Sequence, residues 1–330
     1  MVSFLGIVFL IALFISFYIQ KSLLRSSKKY NIKKAYTGAV RWNAQTKPIM
    51  GGIAFYSVFF LMFVFAVFYN ENNVFQKGHT LAILIVITLA FLMGLADDLL
   101  STPPMFKFVM QFLIAIVLIY FGLYIQITNN LFINYSLTIF WVVGIMNSIN
   151  MIDNMDAVST VVSLPVIVGI TINILLSGAS VHLFFLLISI GGIAALLSFL
   201  YFNWNPSKMY MGDNGSQFLG ALLAVLAIEF VWNYNTTPEH STTARQIVLL
   251  GIMFLVPISD TATVTINRLM KGKSPFVGGR DHTTHHLSYM GLSDRKVALL
   301  LLSVTILNVL MVLYFNNFIE TWNTSLTIFC

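Results

Sequence analysis

The chain of 330 residues is 58% hydrophobic and only 9% charged, with a mean hydropathy of +0.85, far from the roughly 25% charge content of soluble domains. It reads as a polytopic membrane protein. Its single cysteine, Cys330, excludes an intramolecular disulfide framework and any cysteine-cluster metal site. The net charge of +6 does not make nucleic acid an expected partner, because the basic residues fall between apolar runs, where they set membrane orientation.

Apolar runs long enough to cross about 30 Å of hydrocarbon predict spans near 2–20, 51–69, 80–97, 106–126, 134–152, 158–176, 182–202, 216–233, 246–267 and 296–316. No basic residue precedes the first run, so it reads as an uncleaved span and not a secretory signal. Of the 18 Lys and Arg residues, all but Lys77 and Arg245 fall in the first, third, seventh and ninth loops. By the positive-inside rule these loops are cytoplasmic and both termini lie outside. The expected fold is an all-α bundle of about ten transmembrane helices, a single domain over residues 1–330 with no internal repeat.

The acids follow the same geography. Asp97 and Asp98 close the third span in MGLADDL, an unfavourable place for negative charge at a helix C-terminus unless the charge is used. Adjacent helical positions diverge by about 100°, so the two carboxylates cannot share a face. Lys107 follows the Pro103-Pro104 stop and is placed to neutralise a phosphate. In NSINMIDNMD, residues Asn147, Asn150 and Asn154 form one polar stripe if helical, with Asp153 and Asp156 beside it. Amides that donate and accept together suit a uracil or ribose; the plain alternative is a helix end capped by its own side chains.

The polar segment Tyr201–Ser216, YFNWNPSKMYMGDNGS, interrupts two apolar runs. Irregular backbone at membrane depth is tolerated where protein buries it or water reaches it, which predicts a surface cavity faced by Asp213. Gly212 and Gly215 flank that carboxylate, so a bulky anion can approach and a hard cation can bridge it to phosphate. An ordinary turn-rich loop is the competing account. Asp260, inside the ninth span, needs a buried partner and reads as structural more readily than catalytic. The ninth loop, KGKSPFVGGRDHTTHHL, supplies Arg280 as a phosphate fork and His282, His285 and His286 on one face of any helix there. Those imidazoles suit diphosphate oxygens; a zinc site and a solvated histidine cluster are the alternatives.

Taken in order, KPIMGG (47–52), MGLADDL with Lys107, NSINMIDNMD, FNWNPSKMYMGDNGS and GRDHTTHHL resemble the polyprenyl-phosphate N-acetylhexosamine-1-phosphate transferases, the family that includes the phospho-N-acetylmuramoyl-pentapeptide transferases. The resemblance implies transfer of a sugar 1-phosphate from a UDP-N-acetylhexosamine to polyprenyl (undecaprenyl) phosphate with release of UMP. It further implies Mg2+, with Mn2+ as a substitute, and a cytoplasmic-face site in a bacterial inner membrane, where a homodimer is allowed for. It also assigns roles. Asp97 and Asp98 match the pair proposed to deprotonate or orient the lipid phosphate, and Asp213 the metal ligand. Asn150, Asp153 and Asp156 match the nucleoside-side motif, with Tyr210 placed to stack on uracil. Lys47 and Lys107 match basic positions near the phosphates, and Arg280, His282, His285 and His286 the histidine loop. The usual DGxDG becomes Asp153-Asn154-Met155-Asp156-Ala157, and the histidines read HxxHH. That spacing resembles the simple-sugar branch, so the expected donor is UDP-N-acetylglucosamine or a close relative, with Thr283 and Thr284 placed to meet sugar oxygens. A secondary transporter of an anionic solute is the rival from another class, but it calls for ionisable groups near the midplane on broken helices, and here they cluster at one surface.

Overall fold

The computed structural model describes residues 2–29, 47–69, 77–178, 182–233, 243–275, 278–318 and 327. Lys33, Lys34 and Arg41 of the first basic loop, the acids Glu71, Glu239 and Glu320, and Cys330 lie outside them. The described chain is helical, and its one strand-like feature is an isolated parallel bridge between Ile49 and Tyr210.

The helices are α1 (Val2–Lys29), α2 (Gly51–Tyr69), α3 (Lys77–Leu100), α4 (Pro104–Tyr120), α5 (Leu131–Ile152), α6 (Val158–Leu176), α7 (Leu183–Asn203), α8 (Asp213–Ala227), α9 (Thr243–Met253), α10 (Leu255–Met270), α11 (Thr283–Tyr289) and α12 (Asp294–Phe318). A π-helical turn, Ile228–Trp232, prolongs α8. Eight of these helices, counting α8 with its π turn, are long and apolar enough to cross a membrane. The chain is therefore an all-helical polytopic membrane protein.

Two expected spans take a different form. The fourth, α4, is a mostly apolar helix of only 17 residues, about 26 Å at 1.5 Å per residue. Pro104 opens it, where a missing N–H costs nothing. The ninth is not continuous: α9 and α10 meet at Phe254 with a bend of 85°. Pro257 has no N–H to offer the carbonyl of Met253, which removes a helical bond across that turn.

The bundle is built around α8. Every residue from Asn214 to Ala227 is buried, as expected of a helix apolar on all sides, and α8 packs against α2, α3, α5 and α6. Exposed apolar side chains such as Phe14, Phe112, Leu307 and Leu310 sit instead on α1, α4 and α12. The start of α8 is approached very closely. A Cβ on Gly94 of α3 would lie 2.3 Å from the Asp213 carbonyl oxygen, and one on Gly52 of α2 1.8 Å from Asn214 Oδ1. Gly215 lies against Gly52, so it serves helix packing and not the approach of an anion.

Between α5 and α6, Ala157 sits at φ 67°, ψ −15°. This is the left-handed region, which costs a residue with a Cβ roughly 1–2 kcal/mol. The strain falls where the resemblance leads one to expect glycine. Ala157→Gly is therefore expected to stabilise the protein by about 0.5–1 kcal/mol, read as a rise in melting temperature in detergent; a fall would show that the methyl group matters more than the backbone.

Candidate active site

The segment before α8 is held from both sides. Tyr210 N–H donates to the Pro48 carbonyl (3.0 Å), the Tyr210 carbonyl accepts from Met50 and Gly51 (3.3 and 3.2 Å), and Gly52 N–H donates to the Met211 carbonyl (3.1 Å). The KPIMGG and MYMGDNGS motifs are thus neighbouring strands of backbone. Asn203 ties the other side, its amide donating to the Met209 carbonyl and its Oδ1 accepting from Ala157 N–H, both at 2.9 Å. Gly212, at φ 80°, then turns the chain into α8.

Asp98 occupies the start of that helix. Its two oxygens accept from the backbone N–H groups of Asp213 (3.2 Å) and Asn214 (2.9 Å), a charge-assisted cap from α3 onto α8. Asp97 turns the other way, as the 100° rule requires. It accepts from Thr102 Oγ1 (2.5 Å) and lies 2.6 Å from Lys107 Nζ. Lys107 also lies 2.7 Å from Asp213 Oδ2, while Asn150 reaches Asp213 Oδ1 (3.2 Å) and Ser216 Oγ (2.8 Å).

Lys107, Asn150 and Asp213 border a cavity of about 510 Å3, within the range of small-molecule sites. Lys107, Asn147, Asn150, Asp153, Asn154, Asp156, Tyr210, Asp213, His282 and His285 all line it. The asparagine stripe expected of the fifth span is present, although Asn154 lies just past the end of α5. Asp153 accepts from Ser159 Oγ (2.6 Å). Asp156 is engaged by the loop, accepting from Ser207 N–H (3.0 Å), Ser207 Oγ (2.8 Å) and Asn205 (3.2 Å). Lys47 is drawn into the same knot, donating to Ser207 Oγ (3.0 Å) with its ammonium 5.2 Å from the Tyr210 ring centre. Both residues shape the cavity wall through the 203–210 segment.

The histidine loop divides. His282 stands at the start of α11, with Nδ1 2.8 Å from Asp260 Oδ2, and Asp260 Oδ1 accepts from Thr283 N–H (2.7 Å). Asp260 is 2% exposed, and His282 is the buried partner it requires. His285 meets His282 edge to face at 5.4 Å. His286, one position on, turns out of the cavity towards Tyr289, and Arg280 is likewise exposed and outside the lining. The three histidines therefore do not share one face. Thr284, 1% exposed, spends its hydroxyl on Asn154 Oδ1 (2.6 Å), and neither loop threonine borders the cavity.

Burial, and then the neighbouring His282, push His285 down to about 4. Because the folded value lies below the unfolded one of about 6.5, protonation favours unfolding. This leaves stability untouched above about pH 6.5 and erodes it as pH falls from there towards 4. Isotope-labelled histidine spectra in detergent, assigned with His285→Asn, are expected to show a neutral ring at pH 5.5; a cationic ring there would contradict this burial.

Arg268 is a site residue that sequence reasoning used only for topology. Its guanidinium lines the cavity and forks onto Asp281 (2.8 and 2.6 Å), with a third bond to the Pro275 carbonyl (2.8 Å). That fork holds the Asp281 carboxyl down at about 2. The available signal was the spacing of Arg268 and Asp281 on either side of a glycine-bearing loop.

Among the described residues no three Asp, Glu, His or Cys side chains converge tightly enough to enclose a metal by themselves. The donor set nevertheless suits a hard dication. Asp97 and Asp213 present oxygen to one point, the point Lys107 Nζ reaches, and Mg2+ commonly takes one or two carboxylates and completes its shell with water and substrate phosphates.

The chain is thus a helical polytopic membrane protein that gathers carboxylates, amides and a cation around one cavity. Comparison with known proteins makes this specific. The Glycosyl transferase family 4 profile matches residues 80–231, which hold Asp97, Lys107, the asparagine stripe and Asp213 but not the histidine loop. Over 265 residues the chain is 31% identical to a probable undecaprenyl-phosphate N-acetylglucosaminyl 1-phosphate transferase of Bacillus subtilis, covering 77% of this chain and 69% of the relative. It is 28% identical over 328 residues to the phospho-N-acetylmuramoyl-pentapeptide-transferase of Streptococcus mutans, covering 89% and 88%. It is also 28% identical over 253 residues to that of Streptococcus agalactiae, covering 69% and 70%. The chain belongs to glycosyl transferase family 4.

Proposed function

We propose that the protein transfers N-acetylglucosamine 1-phosphate, or a close N-acetylhexosamine relative, from its UDP donor to undecaprenyl phosphate, releasing UMP and starting a cell-envelope glycan. The observation that carries this reading is the convergence of Lys107, Asn150 and Asp213 at one cavity, with Asp97 paired to Lys107 behind them, within a chain 31% identical to a relative named for that transfer.

In this reading a single domain spans the bilayer ten times, counting α4 and the bent α9–α10 pair as spans. Its termini lie outside and its cavity opens to the cytoplasm, as the basic-residue bias requires. Asn150, Asn147 and Asp153 receive the nucleoside, Tyr210 offers a ring face to uracil, and Lys107 and Asp97 receive the acceptor phosphate. An oxygen of that phosphate attacks the donor β-phosphorus, and the bond to UMP breaks. Asp213 and Asp97 would hold Mg2+, which when bound neutralises diphosphate charge. His282, oriented by Asp260, keeps Nε2 for the departing or transferred phosphate, while Arg268 and Asp281 hold the loop over it. Positioning and charge neutralisation provide most of the acceleration.

The test is UMP release by the purified protein. It is expected to require a UDP-N-acetylhexosamine, undecaprenyl phosphate and Mg2+ together. No release, with accumulation of a solute inside proteoliposomes, would favour the transporter reading. Given UDP-N-acetylglucosamine and the muramoyl-pentapeptide donor at equal concentration, the protein is expected to use the former.

A further inference from the structure

The geometry points to Lys107 as a built-in occupant of the cation position, which a divalent ion must displace before the site is competent. This inference rests on the magnesium-dependent reading above and adds the step that loads the site. Three observations carry it. First, Lys107 Nζ lies 2.6 Å from Asp97 Oδ2 and 2.7 Å from Asp213 Oδ2, so one ammonium bridges the two carboxylates that a dication would bridge. Second, the backbone beneath it is fixed. One turn on, Gln111 of α4 donates to Gln217 of α8 (3.1 Å) and accepts from Asn147 of α5 (2.7 Å), and Gln111 and Gln217 are fully buried. Lys107 and Gln111 thus face Asp213 and Gln217 as two rungs four residues apart, so α4 is tied to α8 and α5 one turn from the lysine, and the lysine stem is the part able to swing away. Third, that stem borders the cavity, with 22% of the side chain exposed, which gives the released ammonium somewhere to go.

The exchange makes electrostatic sense. With the dication absent, the ammonium offsets two carboxylates that would otherwise repel at close range. With it bound, the ammonium is freed beside the incoming phosphates, so Lys107 neutralises substrate only after the metal site is filled. Loading of metal and competence to hold phosphate are thereby coupled through one side chain.

The probe is Mn2+ alone, followed by its paramagnetic signal on the full chain in detergent, without substrate. Lys107→Met is expected to bind Mn2+ about tenfold or more tightly than wild type, because the competitor is gone. Lys107→Arg, which keeps the charge, is expected to stay near or below wild-type affinity. A melting curve gives a second readout: Lys107→Met should melt lower than wild type without metal and gain more from added Mn2+. Unchanged or weaker Mn2+ binding by Lys107→Met, with Asp213→Asn still abolishing binding, would overturn the displacement and leave the metal reading intact. Mn2+ binding by Asp213→Asn equal to wild type would overturn both.

Discussion

Asp213→Asn is expected to fold and insert normally but to lose UMP release by roughly 100- to 1,000-fold, the scale seen when a charge-stabilising group is removed from an active site. The fold survives because asparagine can still open α8, whose N-terminal N–H groups are capped by Asp98 and not by Asp213 itself. Lys107 also keeps Asp97 as a partner. Function does not survive, because a neutral amide is a poor ligand for a hard dication. Raising Mg2+ should recover little of the rate. Near-normal turnover across a Mg2+ titration would remove Asp213 from the metal site.

The second large effect separates the adjacent acids. Asp98→Asn is expected to lower stability by about 1.5–3 kcal/mol, the value of hydrogen bonds to a charged acceptor, because an amide can accept only one of the two N–H groups and turns its own NH2 towards the other. Its loss of turnover then follows from a displaced α8 start. Asp97→Asn keeps an oxygen for Thr102 and should melt close to wild type, yet lose turnover per folded molecule. Melting temperature and rate, measured on both variants, decide between cap and chemistry. An Asp98→Asn protein that melts like wild type but is inert would return Asp98 to the reaction itself.

Much of this arrangement was readable from the chain. Apolar runs located the helices because lipid imposes their length, and the polar break at Tyr201–Ser216 pointed to the cavity because bare backbone has no place in hydrocarbon. Asp97 and Asp98 were expected to diverge, and they do. Less legible were features that depend on which helices touch. Nothing local to Asp98 says that it caps α8, 115 residues away, nor that Asp156 and Lys47 would be spent on Ser207. The bend at Phe254 was foreshadowed by Pro257, but an apolar run hides it. Three histidines in five residues suggest a common role for His286 and its neighbours; α11 begins only after His282, and the register then turns His286 away.

In the proposed reaction a phosphosugar, and not a bare sugar, moves to the lipid. UDP-N-acetylglucosamine labelled in the β-phosphate, incubated with the purified protein, Mg2+ and undecaprenyl phosphate, tests it directly. The label is expected in the lipid product and unlabelled UMP in solution; label retained in released UDP would rule out phosphosugar transfer.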